Sequence, residues 1–348
     1  MKILIVKLSS LGDVVHAMPA VQDIRRALPQ ARIDWVVERS FAPLVQRCEG
    51  VQRVIGCELR RWRKSPLGSQ TRTEWRAFRA ALRAQAYDAV LDLQGLTKSA
   101  LVSRVARLAV GGQRFALANQ TEGSSYEAPT RWAADVAIRI EPHVHAVTRS
   151  RELCARALGY ELPQTLRYGL RAGAQARSQD AAHEAAGRCV ALVHGTSRED
   201  KCWPEANWVE LGRRLIAQGF TLGLPHGSEA ERARSERLAG ALGAAARVWP
   251  RLDLGQLTDR LAAGAGVIGV DSGLSHIAVA LDQPHVQIYN FDTAWRTGPM
   301  AALPVDAGPG PSPSCEGIQG ARQIAVHARP TPPVEAVWQA WQQVGAAS

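Results

Sequence analysis

Two doubly wound α/β domains in tandem are the fold class that this 348-residue sequence predicts. Three observations carry it. Short apolar runs alternate with helical segments, which is the pattern of a largely parallel sheet. The alternation lapses once in mid-chain and then restarts. The length is ample for two hydrophobic cores.

The first half reads in order. Residues 3–8 form an apolar strand that ends in the turn SSLGD, 9–13, with a helix running on to Leu28. Strands follow at 33–37 and 51–59. Residues 71–86 have helical spacing: Trp75, Phe78 and Leu82 share one face, and Arg72, Arg76, Arg79 and Arg83 form a basic stripe beside it. A strand at 89–93 leads to a helix from Thr97. Residues 171–188 are rich in Ala, Gly, Gln and Arg with no pattern to bury, and read as a linker between a first domain, 1–170, and a second, 189–328. In the second, strands at 189–193, 221–224, 267–270 and 286–289 interleave with helices at 203–218, 229–242, 254–263 and 276–281. Residues 307–314, AGPGPSPS, are loop. A last helix spans about 333–344, within a C-terminal segment of 329–348, and carries Trp338 and Trp341.

Composition narrows the function classes. The chain is 46% hydrophobic and 21% charged, so it folds rather than staying disordered. No apolar run reaches the roughly 18–20 residues that span a bilayer. The opening MKILIVK is too short between its lysines for a signal-peptide core, so a cytoplasmic location is expected. The six cysteines are scattered, without CxxC or Cys/His ligand spacing; reduced thiols and no metal site are expected. The net charge of +10 suits a polyanionic partner, and it is concentrated: residues 58–83 hold eight basic and two acidic side chains.

Five segments are candidates for chemistry. Asp13, after Ser10 and Gly12, follows the first strand and opens a helix at the mouth of a cleft; from this segment alone a helix N-cap is the favoured reading. There is no GxGxxG at that turn. The segment HGTSREDKCWP, 194–204, offers the hydroxyls of Thr196 and Ser197 and the ammonium of Lys201, a point charge suited to phosphate. In VDSGLSH, Asp271, Ser272, Gly273 and His276 lie where a buried strand turns into a helix whose free amides can meet an anion. Glu231 opens another helix, as a dipole-stabilising acid or as a receiver of ribose hydroxyls. Arg60, Arg61, Arg63 and Lys64 surround Trp62; they form either a solvated charge run or a seat for carboxylates and phosphates.

Taken together, SSLGDVVHAMPA, DWVVE at 34–38, RRWRK, YDAVLDLQGLTKSA, DKCWPEANW, LPHGSEAE and VDSGLSHIAVALD resemble the lipopolysaccharide heptosyltransferase family, glycosyltransferase family nine. Within it the resemblance is to the subgroup that adds the first heptose. It covers most of the chain, and the order and spacing of the segments are more specific than any one of them. The resemblance implies a GT-B fold, two Rossmann-like domains facing across a cleft, with the last helix packing back on the first domain. It implies inverting transfer of L-glycero-D-manno-heptose from ADP-heptose to the Kdo of Kdo-lipid A. Asp13 would be the base and Lys201 would stabilise the departing ADP. Thr196, Ser197, Glu231, Asp271, Ser272, Gly273 and His276 would hold the donor. Ser10, Gly12, Arg60, Arg61, Arg63 and Lys64 would meet the acceptor. No cofactor or obligatory metal is implied. A monomer lying on the anionic cytoplasmic face of the inner membrane is expected, with no nucleic acid partner. Ser272 stands where the family commonly has Thr, and residues 119–126 carry no assigned role. The rival readings are a transferase of the second heptose and, from another class, a non-catalytic nucleotide- or nucleic-acid-binding protein.

Overall fold

The computed structural model describes residues 1–173, 188–300 and 322–346. It divides into two compact units. One comprises Met1–Pro163 with Arg167–Leu170; the other comprises Gln164–Leu166 with Arg171–Ser348. Most of the linker expected at 171–188, the loop at 307–314 and Cys315 lie outside the described residues.

The first unit runs β1 (Lys2–Val6), α1 (Leu11–Ala27), β2 (Arg32–Glu38), α2 (Ala42–Val45), β3 (Val51–Cys57), α3 (Leu59–Trp62), α4 (Ser69–Arg83), β4 (Ala86–Asp92), α5 (Thr97–Val105), β5 (Arg107–Leu117), α6 (Thr130–Ala133), β6 (Val136–Ile138) and α7 (Ala146–Leu158). Its sheet has the order β3-β2-β1-β4-β5-β6, and each of its strand pairs is parallel. β1 and β4 are buried on both faces, which is why they read as continuous apolar runs. β5 is not anticipated by the sequence. Its Gly111-Gly112 pair breaks the alternation, and the register beside β4 shifts between Tyr87 and Ala89. α7 is likewise unanticipated. It packs on α1, where Arg151 makes two hydrogen bonds to Asp23, at 2.6 and 3.1 Å, with both side chains buried.

The second unit repeats the plan: β7 (Cys189–Val193), α8 (Glu205–Ala217), β8 (Thr221–Leu224), α9 (Glu229–Leu242), β9 (Ala246–Val248), α10 (Leu254–Ala263), β10 (Gly266–Val270), α11 (Gly273–Ala280), β11 (His285–Tyr289), α12 (Ala294–Thr297), β12 (Gln323–His327) and α13 (Val334–Ala346). Its order, β12-β11-β10-β7-β8-β9, is the same winding, again parallel throughout. In each unit the chain reverses direction across the sheet between the first and fourth strands. These are topological switch points, where loops part and leave a crevice at the carboxyl ends of the strands.

α13, the helix expected to return to the first domain, is built into the core of its own unit. Val337, Ala340, Trp341 and Val344 of α13 join the second unit's core with Leu211, Leu215 and Ile288. The reason is the empty side of that sheet: α13 covers β11 and β12 and lies against α8. Gly266 makes room for it, since a Cβ there would lie 2.8 Å from the Trp341 ring. Trp341→Ala is therefore expected to cost the second unit about 3–5 kcal/mol. The readout is a lower denaturant midpoint for that unit, with amide protection in the first unit unchanged. An unchanged midpoint would overturn this packing role.

Candidate active site

The switch point of the first unit gathers the ends of β1 and β4. Lys7 leaves β1 pointing inward and is 2% exposed. A buried ammonium costs free energy unless it is paired. Lys7 Nζ donates to Leu93 O at 2.9 Å and lies 3.5 Å from Asp13 Oδ1. Burial lowers its pKa, and Asp13 only partly restores it. Beneath it, Asp92 is enclosed at the end of β4 and accepts from Gln94 N, Gly95 N and Ser99 Oγ. Burial outweighs those bonds and raises its pKa to about 6.

Asp13 sits in the first turn of α1. Its Oδ2 accepts from the backbone N–H and the hydroxyl of Ser10, at 3.2 and 2.9 Å. That closes a capping box from the third helical position, with Ser10 and not Asp13 as the N-cap residue. The cap uses one oxygen only. Oδ1 faces Lys7 Nζ and Arg149 Nη2, each at 3.5 Å. Burial pushes the carboxyl pKa up, but Lys7, Arg149 and Ser10 outweigh it and hold it at about 2. The side chain is 34% exposed, so this is an ionised carboxylate within reach of a ligand. Gly12 lies beside it in the same turn. Arg149 comes from α7 and is steadied by Thr121 Oγ1 at 2.9 Å. A function for the 119–126 segment thus emerges: buried Thr121 orients the cation that faces Asp13.

Neither Lys7 nor Arg149 was singled out from the sequence. Lys7 had a signal, a lone lysine inside an apolar strand run. Arg149 had none, because its partner is 136 residues away.

The basic segment is anchored by its tryptophan. Trp62 is buried against Trp75 and Phe78, with ring centroids 5.8 and 5.5 Å away. Its Nε1 donates to Glu74. Arg61 is bound to Glu58 and Glu74, so it holds the segment's shape. Arg60, Arg63 and Lys64 are exposed. Glu38, at the end of β2, accepts the Arg60 backbone N–H and keeps Oε1 buried without a partner among the described residues.

At the second switch point, β7 and β10 bring two loops together. Asp271 ends β10 and is almost enclosed. Lys201 Nζ donates to its Oδ2 at 2.6 Å, and His276 Nε2 lies 3.4 Å from Oδ1. Burial works against the charged form, but His276 and Lys201 hold the carboxyl far below its ordinary range. Thr196 Oγ1 donates to Asp271 O at 3.3 Å, closing the first loop onto the second. Ser272 stands at the N-cap position of α11 but makes no capping bond, and its Oγ is buried without a partner among the described residues. Gly273 begins the helix, whose first amides have no partner within it. His276 is 5% exposed and turned toward Asp271, with Nδ1 3.5 Å from Gln287 Nε2. Ser197 is exposed.

Glu231 joins this site from α9. Its Oε2 accepts from Gly227 N at 2.6 Å and Ser228 N at 3.3 Å, again a cap. Its Oε1 lies against Gly195, where a Cβ would stand 2.6 Å away. A side chain there would push the carboxylate aside, so its position is shared between the loop after β7 and its own helix.

The two crevices have different chemistry. The first offers an ionised, partly exposed carboxylate rimmed by cations. The second offers a helix N-terminus, hydroxyls and an ammonium, the elements of a phosphate seat.

Glycosyltransferase family 9 (heptosyltransferase) matches residues 75–307. Lipopolysaccharide heptosyltransferase 1 of Pseudomonas aeruginosa is 39% identical over 315 residues, which cover 88% of this chain and 84% of that protein. The protein of that name from Escherichia coli K12 is 40% identical over 290 residues, covering 83% and 88%. Among solved structures, the E. coli heptosyltransferase WaaC with ADP has a TM-score of 0.81 at 33% identity, covering 99% of this chain and 100% of that one. Two parallel sheets of Rossmann-like winding, as in WaaC, make the fold GT-B in type, and this chain belongs to glycosyltransferase family 9, the heptosyltransferases.

Proposed function

We propose that this enzyme transfers L-glycero-D-manno-heptose from ADP-heptose to the Kdo of Kdo-lipid A, the first heptose of the lipopolysaccharide inner core. The observation that carries the reading is the Asp13 carboxylate, ionised and partly exposed between Lys7 and Arg149. The second unit supplies the complementary seat, around Lys201 and the start of α11.

The chemistry follows from those groups. The acceptor hydroxyl attacks the anomeric carbon as the bond to ADP breaks, and its proton passes to Asp13 Oδ1. A carboxylate of such low basicity takes the proton late, once the forming bond has acidified the hydroxyl. Attack opposite the leaving group inverts the anomeric carbon. ADP departs with an added negative charge. Lys201, the Thr196 and Ser197 hydroxyls and the first amides of α11 stabilise it, with no metal required. Asp271 keeps Lys201 in place, and Glu231 Oε1 is the receiver for ribose hydroxyls. Arg60, Arg63 and Lys64 meet the anionic acceptor, and their charge favours Kdo over a neutral heptose as the acceptor sugar. The lipid anchor of that acceptor places the enzyme at the cytoplasmic face of the inner membrane. No helix among the described residues is long and apolar enough to cross a membrane; the association proposed is peripheral.

Asp13→Asn is expected to lower kcat by about 10²–10⁴-fold while ADP-heptose still binds. Acceptor-dependent ADP release measures the first, and calorimetry with ADP the second. Full activity in the variant would move the base elsewhere. With Asp13 held at about 2, it stays ionised down to the acid range, so its limb in kcat/KM lies below pH 4. A limb centred near pH 6 would instead implicate Asp92, whose pKa is about 6. Lys201→Met is expected to cost about 10²-fold in kcat. Asp271→Asn, which leaves the ammonium but loosens it, is expected to cost less and to raise the KM for donor. A panel of Kdo-lipid A and heptosylated acceptors separates first from second heptose.

A further inference from the structure

The connections β3 to β4, β4 to β5 and β5 to β6 all cross the first sheet in one direction. Right-handed crossovers therefore place α4, α5 and α6 on the same face of it. α4 packs on α5 and α5 on α6, while α1 and α7 pack together. The three helices carry seven basic residues and one acid, Glu74, which is tied to Arg61 and Trp62. Only Thr71, Phe78 and Leu82 of α4 are buried. Arg72, Arg76, Arg79 and Arg83 stand on its exposed side. Arg83 donates to Val105 O at the end of α5, linking the stripe to the next helix.

The same face exposes large apolar side chains. Leu101 of α5 is 62% exposed and Trp132 of α6 is 67% exposed. Arg104 and Arg131 stand beside them, with the Arg131 guanidinium 5.5 Å from the Trp132 ring. Leu67, in the loop that leads into α4, is 84% exposed and follows the basic segment directly. Arginines interspersed with an exposed Trp and Leu match an interface where apolar rings and chains enter the headgroup region and guanidinium groups hold phosphates. Nucleic acid would use the cations but gives the exposed leucines nothing to enter.

We propose that the α4–α5–α6 face is the surface by which this protein docks on an anionic phospholipid bilayer, with the Trp132 and Leu101 side chains inserted at headgroup depth. The proposal rests on the lipid-anchored acceptor read above, and it explains a part of the positive charge that the reaction does not use. The face continues in sequence into Arg63 and Lys64, so docking sets the acceptor-binding segment at the membrane.

The test is flotation of the full-length protein with vesicles of mixed phosphatidylethanolamine and phosphatidylglycerol, against vesicles of phosphatidylcholine alone. Wild type is expected to bind the anionic vesicles and to release at high ionic strength. Arg76→Gln with Arg79→Gln is expected to weaken binding about 25-fold, each cation near the surface being worth about fivefold. Brominated lipid is expected to quench part of the tryptophan fluorescence, and that part should vanish in Trp132→Ala. ADP release with a detergent-dispersed acceptor should be unchanged in both variants, since none of these residues belongs to the reaction. Wild-type-like flotation by the double variant would overturn the proposal. So would equal binding to phosphatidylcholine, or binding to duplex DNA without binding to vesicles. Absence of ADP release from wild type that still floats would remove the catalytic reading and leave the docking surface standing.

Discussion

A parallel sheet covered by helices on both faces holds a charge in its interior only at a cost, and both sites in this protein lie at strand ends, where that cost is least. The interior of each sheet admits Val, Ile and Leu. At the carboxyl end of the two central strands the covering helices part. There Lys7 and Asp92 sit in one unit and Asp271 in the other. Each is buried and each is costly alone, so each has recruited partners: Asp92 from the turn that follows it, Lys7 and Asp271 in part from distant chain segments. Lys7 draws on Asp13 and Leu93, and Asp271 draws on Lys201 and His276. The partnerships fold the loops that a substrate would touch.

α7 shows how far this requirement reaches. It follows the last strand of its unit and contributes none of its own backbone to the sheet. Yet Arg151 clamps Asp23 of α1, and Arg149 reaches Asp13 at the start of the same helix. The first pair is a buried ion pair whose break would leave an uncompensated charge. It fixes α7 along α1, and that fixes the direction of Arg149. The surroundings of Asp13 thus depend on an interaction remote from it.

Asp13 and Glu231 share a second device. Each stands at the third position of a helix and closes a capping box with one oxygen, leaving the other turned toward the site. Capping and ligand binding are therefore not alternatives at these positions. The cap holds the carboxylate rigid, which removes the conformational cost of placing its second oxygen.

The sequence by itself determined the two-domain α/β class, most strand positions and the two site loops. Apolar runs, turn residues and helix caps are local signals, and the segments SSLGD and VDSGLSH combine all three. It also marked the basic segment and the stripe on α4, because helical spacing is a property of neighbours in the chain. Only the tertiary structure decided what those residues face. It tied Arg61 to Glu58 and Glu74 on the surface and left Arg60, Arg63 and Lys64 exposed beside it. It brought Arg149 to Asp13 across 136 residues and gave α13 to the second unit. It formed β5 in spite of its glycine pair, since pairing with β4 outweighs weak local propensity. The physical reason is common to all of these: periodicity tells a residue which side of its own element it occupies, whereas the partner on that side is chosen by packing between elements far apart in the chain.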